Sequence, residues 1–161
     1  MRAVVTGGAG FIGSNLVDKL IEDGHDGFVF DNLYTGNKDN INPEAWFDRQ
    51  VDITEDVHSA YYLNNFLSVN KIDTIFHLAA RARVQPSIED PVLFHKTNVN
   101  GTLNLLKGAV DAGVKRFVYS SSSSIYGNPE CLPTPEGHPT NPLSPYGAQK
   151  LIGEIYTKTF S

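Results

Sequence analysis

The stretch Ala3-Val4-Val5-Thr6-Gly7-Gly8-Ala9-Gly10-Phe11-Ile12-Gly13 decides the fold. Its first half is a short apolar, β-branched run of the kind that forms a buried strand. Its second half spaces Gly8, Gly10 and Gly13 as G-x-G-x-x-G, and Gly7, Gly10 and Gly13 also recur every third residue. Apolar residues at helical spacing continue to Glu22. A strand that turns through glycines into a helix aims free amides and a positive helix end at one point, and the missing side chains let a diphosphate approach the backbone. The stretch therefore predicts a dinucleotide clamp; a glycine-rich turn without a ligand is the competing reading. Asp31 lies eighteen residues beyond Gly13, at the end of the next apolar run. A carboxylate there accepts hydrogen bonds from the adenosine ribose and repels a 2'-phosphate, which favours NAD over NADP.

Outward from this stretch the pattern alternates. Strand-like runs occur at Arg2–Thr6, Gly27–Asp31, Trp46–Asp52, Thr74–Leu78 and Arg116–Ser120. Helical periodicity occupies Gly10–Glu22, Glu55–Val69 and Val92–Ala112, the last with Val99, Leu103, Leu106 and Val110 along one face. Such alternation predicts an α/β fold: a Rossmann-type, doubly wound parallel sheet with helices on both faces, forming a single domain over residues 1–161. Prolines and glycines between Gly127 and Pro145 mark a long irregular loop. Ser144 as N-cap and Pro145 at the first helical position then predict a final helix running to about Phe160, with Tyr146 in its first turn.

Composition narrows the function classes. Hydrophobic residues make up 40% and charged residues 19% of the 161, as in a globular domain, and the apolar runs are too short to span a bilayer. Thirteen basic against eighteen acidic residues give a net charge of -5 with no basic stripe, so nucleic acid is a poor candidate partner. Cys131 is the only cysteine, which excludes internal disulfides and cysteine-based zinc clusters and agrees with a reducing compartment. With no signal-like segment ahead of the first strand, the expectation is a cytoplasmic protein without a metal site.

Tyr146 and Lys150, four residues apart, share one face of the final helix. An ordinary tyrosine is a poor base near neutral pH, but an adjacent cation and a helix N-terminus both favour its phenolate. Such a pair occurs often by chance, so its context matters. Ser120 to Ser124 follow the last strand and fall at the carboxyl edge of the sheet, where ligands bind in such folds. The serines are candidate donors to a reacting oxygen, although most of a polar run satisfies its own backbone.

The segments TGGAGFIGS, DNLYTG, HLAA, NVNGTL, YSSSSSIYG and SPYGAQK together resemble the extended short-chain dehydrogenase/reductase family, especially its UDP-hexose 4-epimerases. The resemblance implies that Gly7, Gly10, Phe11, Ile12 and Gly13 hold a pyrophosphate. It places Asp31, Asn32, Leu33, Tyr34, Thr35 and Gly36 around the adenosine ribose, and Asp52 and Ile53 beside the adenine. Leu78, Ala79, Ala80 and Arg81 would border the cofactor on its nicotinamide side, and Asn98 would support the surrounding loops. Read without the resemblance, Arg81 and Arg83 are solvated surface charges, with a reach toward a phosphate or substrate group as the alternative. Ser122 is the implied catalytic hydroxyl, four residues before Tyr126, with Ser123 as the alternative. The family's 4,6-dehydratases carry Asp-Glu after that hydroxyl; Ser123 and Ser124 stand here, which disfavours water elimination.

The implied chemistry is NAD-dependent epimerisation at C4 of a UDP-hexose through a 4-keto sugar, with Tyr146 as base and Lys150 lowering its pKa and holding the nicotinamide ribose. A dehydratase, decarboxylase or reductase of the same family, or a non-catalytic NAD-binding fragment, are the alternatives. The family continues past the point matching Ser161 with a strand and a smaller substrate domain, so the substrate half is expected to be missing. The resemblance also implies a homodimer through a four-helix interface.

Overall fold

The computed structural model of the chain describes residues 1–48, 53–54 and 57–161. Five parallel strands form one sheet, ordered β3-β2-β1-β4-β5: β1 (Arg2–Thr6), β2 (Asp26–Phe30), β3 (Trp46–Asp48), β4 (Thr74–His77) and β5 (Arg116–Tyr119). Val4 pairs with Phe28 on one side and with Ile75 on the other, so β1 is central. β2 ends at Phe30, one residue short of expectation, which leaves Asp31 just past the carboxyl end of the strand. Of the predicted strand Trp46–Asp52, the first three residues are confirmed; Asp52 lies outside the described residues.

Alternate residues of these strands feed two cores, and this is why they read as unbroken apolar runs. Val4, Phe28, Phe30 and Ile75 pack with Leu63, Phe66 and Leu67 of α2 (Val57–Val69) and with Leu105 and Ala109 of α5 (Gly101–Asp111). Ala3, Val5 and Val29 pack on the other face with Val17 and Leu20 of α1 (Phe11–Glu22). Leu67 and Leu105 are wholly buried, and burial of each such side chain contributes about 2 kcal/mol. The sheet is therefore doubly wound. Its order reverses between β1 and β4, so the two crossovers diverge and open a crevice at their carboxyl ends.

The predicted helix Val92–Ala112 is instead three pieces: α4 (Pro91–His95), a π-helical turn over Lys96–Asn100, and α5. Of the expected buried face, Val99 and Leu106 are buried but Val110 is 56% exposed; Asn98, Thr102, Leu105 and Ala109 are buried as well. Polar residues hold two of these inward positions because the core there needs hydrogen-bond partners, a requirement that apolar periodicity does not register. A short helix, α3 (Val84–Glu89), was not foreseen. α6 (Pro145–Thr159) begins as expected, with the Ser144 hydroxyl accepting from Gly147 N at 3.1 Å.

The need for partners centres on His77, 1% exposed at the end of β4. The Thr102 hydroxyl donates to the Asn98 carbonyl at 2.7 Å, so it accepts from His77 Nε2–H, 2.9 Å away. That leaves Nδ1 bare to accept the Thr6 hydroxyl at 2.7 Å. Thr6 Oγ1 in turn accepts from Ala79 N at 3.1 Å. The chain of bonds has a single consistent polarity and fixes a neutral imidazole. Burial, reinforced by the Lys150 charge, pulls the His77 pKa down from 6.5 to about 3.

Two predictions follow from this packing. Below pH 6.5 the unfolded chain takes a proton that folded His77 refuses, so stability falls with pH down to the folded value. Between pH 7.5 and 5 the protein should lose about 2 kcal/mol more than its His77→Gln variant in denaturant titrations; equal losses would show that His77 is not held neutral. A Cβ at residue 13 would lie 2.2 Å from the Gly7 carbonyl oxygen, whereas one at Gly137 meets nothing within 4 Å. Gly13→Ala should therefore cost about 3 kcal/mol or more and Gly137→Ala less than about 0.5 kcal/mol.

Candidate active site

The glycine turn leaves β1 at Thr6 and enters α1 at Phe11. Gly7 sits at φ +71°, and an added Cβ there would press on the Ala79 backbone at 2.9 Å, so this approach of two loops requires glycine. Gly10 is the N-cap of α1 and supplies no side-chain cap, and no acid stands in the first turn. The first-turn amides consequently point outward without a competing protein anion, as binding of a diphosphate requires. Phe11 and Ile12 are 84% and 65% exposed beside them.

The loop after β2 is stapled to this turn through Ala9. Ala9 N donates to one Asp31 carboxylate oxygen at 3.0 Å and Leu33 N to the other at 2.8 Å. The Ala9 carbonyl accepts from Asn37 N and from Asn40 Nδ2, each at 3.1 Å. Leu33 takes φ +59° to close the loop. Gly36 lies so close to Asp31 that a Cβ would come within 3.0 Å of both carboxylate oxygens. Asp31 is thus rigidly held at the groove edge.

A groove of about 850 Å³, counting the open space at its mouth, runs along the carboxyl ends of β1, β2 and β4. Of the residues expected at the cofactor, Gly7, Gly10, Asp31, Asn32, Tyr34, Thr35, Ile53, Leu78, Ala79, Ala80 and Arg81 line it. Thr6, Phe30, Thr54 and Thr97 line it as well and were not foreseen. Ile53 is anchored by Asn104 Nδ2, which donates to its carbonyl at 3.0 Å. The Arg81 guanidinium lies 4.0 Å over the Tyr34 ring and bridges two loops, so it is not the freely solvated charge that composition suggests. Arg83 is exposed, as expected. Asn98 does not line the groove; it holds the Arg81 backbone, accepting from its N–H at 2.8 Å and donating to its carbonyl at 3.0 Å.

The reactive pair lies at the start of α6. Tyr146 N donates to Ser87 Oγ at 3.1 Å, and Ser87 donates on to the Val84 carbonyl, so α3 fixes the turn that carries the tyrosine. Lys150 is 3% exposed, with Nζ 4.4 Å over the Tyr119 ring and no ion pair among the described residues. Burial pulls its pKa down to about 8, only partly opposed by Glu154. Burial, then the charges of Tyr146 and Glu154, push the Tyr119 phenol up. Gly147 packs on Ser124: a Cβ would lie 2.5 Å from its carbonyl oxygen, which seats the serine loop against the first turn of α6.

Within that loop Ser122 Oγ accepts from Ser124 N at 3.2 Å, which orients the hydroxyl and leaves its proton to donate. Ser123 is exposed. Ser121 Oγ is buried and has no partner among the described residues, an open hydrogen-bonding position at the same sheet edge. No cluster of metal-binding side chains occurs among the described residues. Thr6, Ser87, Thr102 and Gln149 are the organising residues that pattern reading missed. A threonine closing an otherwise apolar strand was the one available signal, for Thr6.

A family model described as GDP-mannose 4,6 dehydratase matches residues 4–161. The UDP-glucose 4-epimerase of Mycolicibacterium smegmatis is 42% identical over 161 residues, 99% of this chain and 51% of that protein. Among solved structures, the Thermotoga maritima UDP-glucose 4-epimerase with UDP-glucose superposes with a TM-score of 0.92 at 42% identity, covering 99% of this chain and 51% of that one. The Thermus thermophilus UDP-glucose 4-epimerase complex with NAD gives 0.91 at 38%, covering 99% and 50%. The chain spans about half the length of the relatives it matches. On these similarities the chain belongs to the family of the GDP-mannose 4,6 dehydratase model, the extended short-chain dehydrogenases/reductases of UDP-hexose 4-epimerase type.

Proposed function

We propose that this chain supplies the NAD site and the reactive tyrosine of a UDP-hexose 4-epimerase. The observation that carries the reading is Lys150, a lysine with 3% exposure and no carboxylate partner within ion-pair distance among the described residues, one helical turn from Tyr146. A cation left so costly in the free chain is suited to a ligand that offers hydroxyls and to a neighbouring phenol that gains from its charge.

Gly7, Gly10 and Gly13 with the first-turn amides of α1 would hold the pyrophosphate, flanked by Phe11 and Ile12. Asp31 would accept from the adenosine ribose, with Asn32, Leu33, Tyr34, Thr35 and Gly36 shaping its surroundings and Ile53 beside the adenine, while Leu78 would lie toward the nicotinamide side. Ala79, Ala80 and Arg81 would border the rest of the cofactor, supported by Asn98, while Tyr146 and Lys150 meet the nicotinamide ribose. The clamped Asp31 carboxylate favours NAD over NADP. NAD held there would supply hydride-accepting and hydride-donating chemistry at the sugar C4. Tyr146 as phenolate takes the proton of the 4-hydroxyl and later gives it back, Lys150 stabilises that phenolate, and Ser122 donates to the reacting oxygen.

The relatives bound to UDP-glucose and NAD support this substrate and cofactor. Ser123 and Ser124 after Ser122 speak against the dehydratase alternative, because the acid pair expected for elimination is missing. A second copy of the chain is the proposed partner. The groove between α4 and α6, lined by Pro91, Val92 and Ile152, supports it, with Val92 79% exposed. A cytoplasmic location is proposed from the free, exposed Cys131; no described helix is long and apolar enough to cross a membrane.

Tyr146→Phe should bind NAD as the parent does in calorimetry yet lose at least about 100-fold in UDP-galactose epimerisation; undiminished turnover would remove Tyr146 from the chemistry. Asp31→Ala should weaken NAD about tenfold and leave NADP unchanged or improved, and equal weakening of both would contradict the ribose contact. A parent that binds NAD and never epimerises in its complete form would be a cofactor-binding module instead.

A further inference from the structure

Two buried amides connect the reactive helix to the groove. Asn98 is 1% and Gln149 4% exposed. Their orientation is dictated by one backbone group. Arg81 N–H donates to Asn98 Oδ1 at 2.8 Å, so the Asn98 amide nitrogen faces the other way. It donates to the Arg81 carbonyl at 3.0 Å and to Gln149 Oε1 at 3.1 Å. With its oxygen engaged, Gln149 turns Nε2 to the Pro91 carbonyl at 3.2 Å. Each amide bond in the relay has only one workable direction, and a side chain lacking either a donor or an acceptor at 149 breaks it.

The relay joins places that must keep a fixed separation. Gln149 is next to Lys150 and three residues past Tyr146 on α6, whereas Arg81 lines the groove and reaches over Tyr34. Pro91 is the first residue of α4, whose end runs into the π-helical turn that presents Asn98. One side chain therefore ties α6 to both flanks of that segment.

We infer that Gln149 is a positioning residue: through Asn98 it sets the backbone of Arg81, and with it the cofactor groove, at a fixed distance from Tyr146 and Lys150. This rests on the proposed NAD-dependent function. Proton and hydride transfers need their partners aligned to a fraction of an ångström, so a relay of this kind acts on turnover and cofactor binding more than on substrate capture.

The test is Gln149→Met, close in size but unable to hydrogen-bond. In the ligand-free protein the Arg81 amide should exchange with solvent about fivefold faster or more. The NAD dissociation constant should rise and kcat fall by about five- to tenfold, with KM for UDP-glucose within about twofold of the parent. Exchange, NAD affinity and kcat all within about twofold of the parent would overturn the assignment. Should that variant fail to fold, Gln149→Glu at pH 6 keeps an oxygen facing Asn98 and, protonated in its buried site, a donor for Pro91. It should retain the protection of the Arg81 amide, and loss of that protection in a folded Gln149→Glu protein would equally overturn the role. A parent that binds no NAD defeats the functional reading and this role with it, whereas a parent that binds NAD beside an unaltered Gln149→Met defeats this inference alone.

Discussion

The hydrogen-bonded chain from Ala79 through Thr6 and His77 to Thr102 and Asn98 crosses the sheet at the point where β1 and β4 part. Parallel strands here need apolar cover on both faces, yet the loops leaving them must form a polar groove. At this point the conflict is resolved by pairing each buried donor of Thr6, His77 and Thr102 with an acceptor. Losing any one member strands a partner in the core, at a cost of about 1–3 kcal/mol. Because Asn98 belongs both to this chain and to the grip on Arg81, the stability of the sheet and the shape of the groove depend on the same residues.

Lys150 shows the opposite balance. With its pKa lowered to about 8, Lys150 is still mostly charged below that pH, and keeping the charge in this buried place costs stability throughout that range. Compared with a solvated lysine the cost is about 3 kcal/mol, relieved as pH climbs from 8 to 10.5. The Tyr119 ring beneath Nζ offsets part of it. The strain is local to the face of α6 that carries Tyr146.

Much of this was legible in the residues. Repeated glycines after a β-branched run specified β1, the turn and α1, and Ser144-Pro145 specified the start of α6 to the residue. The break in the long helix was not legible. Thr97, Asn98, Val99 and Asn100 are weak helix formers, but weak propensity does not specify a π turn, which serves Asn98 and Thr102, whose partners Arg81 and His77 lie elsewhere in the sequence. Val110 misled as well: apolar spacing favours it for the core, but it is 56% exposed while Asn98 and Thr102 hold two of the buried positions. Gln149 resembles any solvated helix residue until Asn98 is placed opposite it.

A single ligand should span the glycine turn and the head of α6, and hydrogen exchange of the protein titrated with NAD tests this most directly. The account predicts that residues 7–13 and 144–150 gain protection together, with one midpoint in NAD concentration. Protection confined to the glycine turn, with the head of α6 unchanged at saturation, would contradict it.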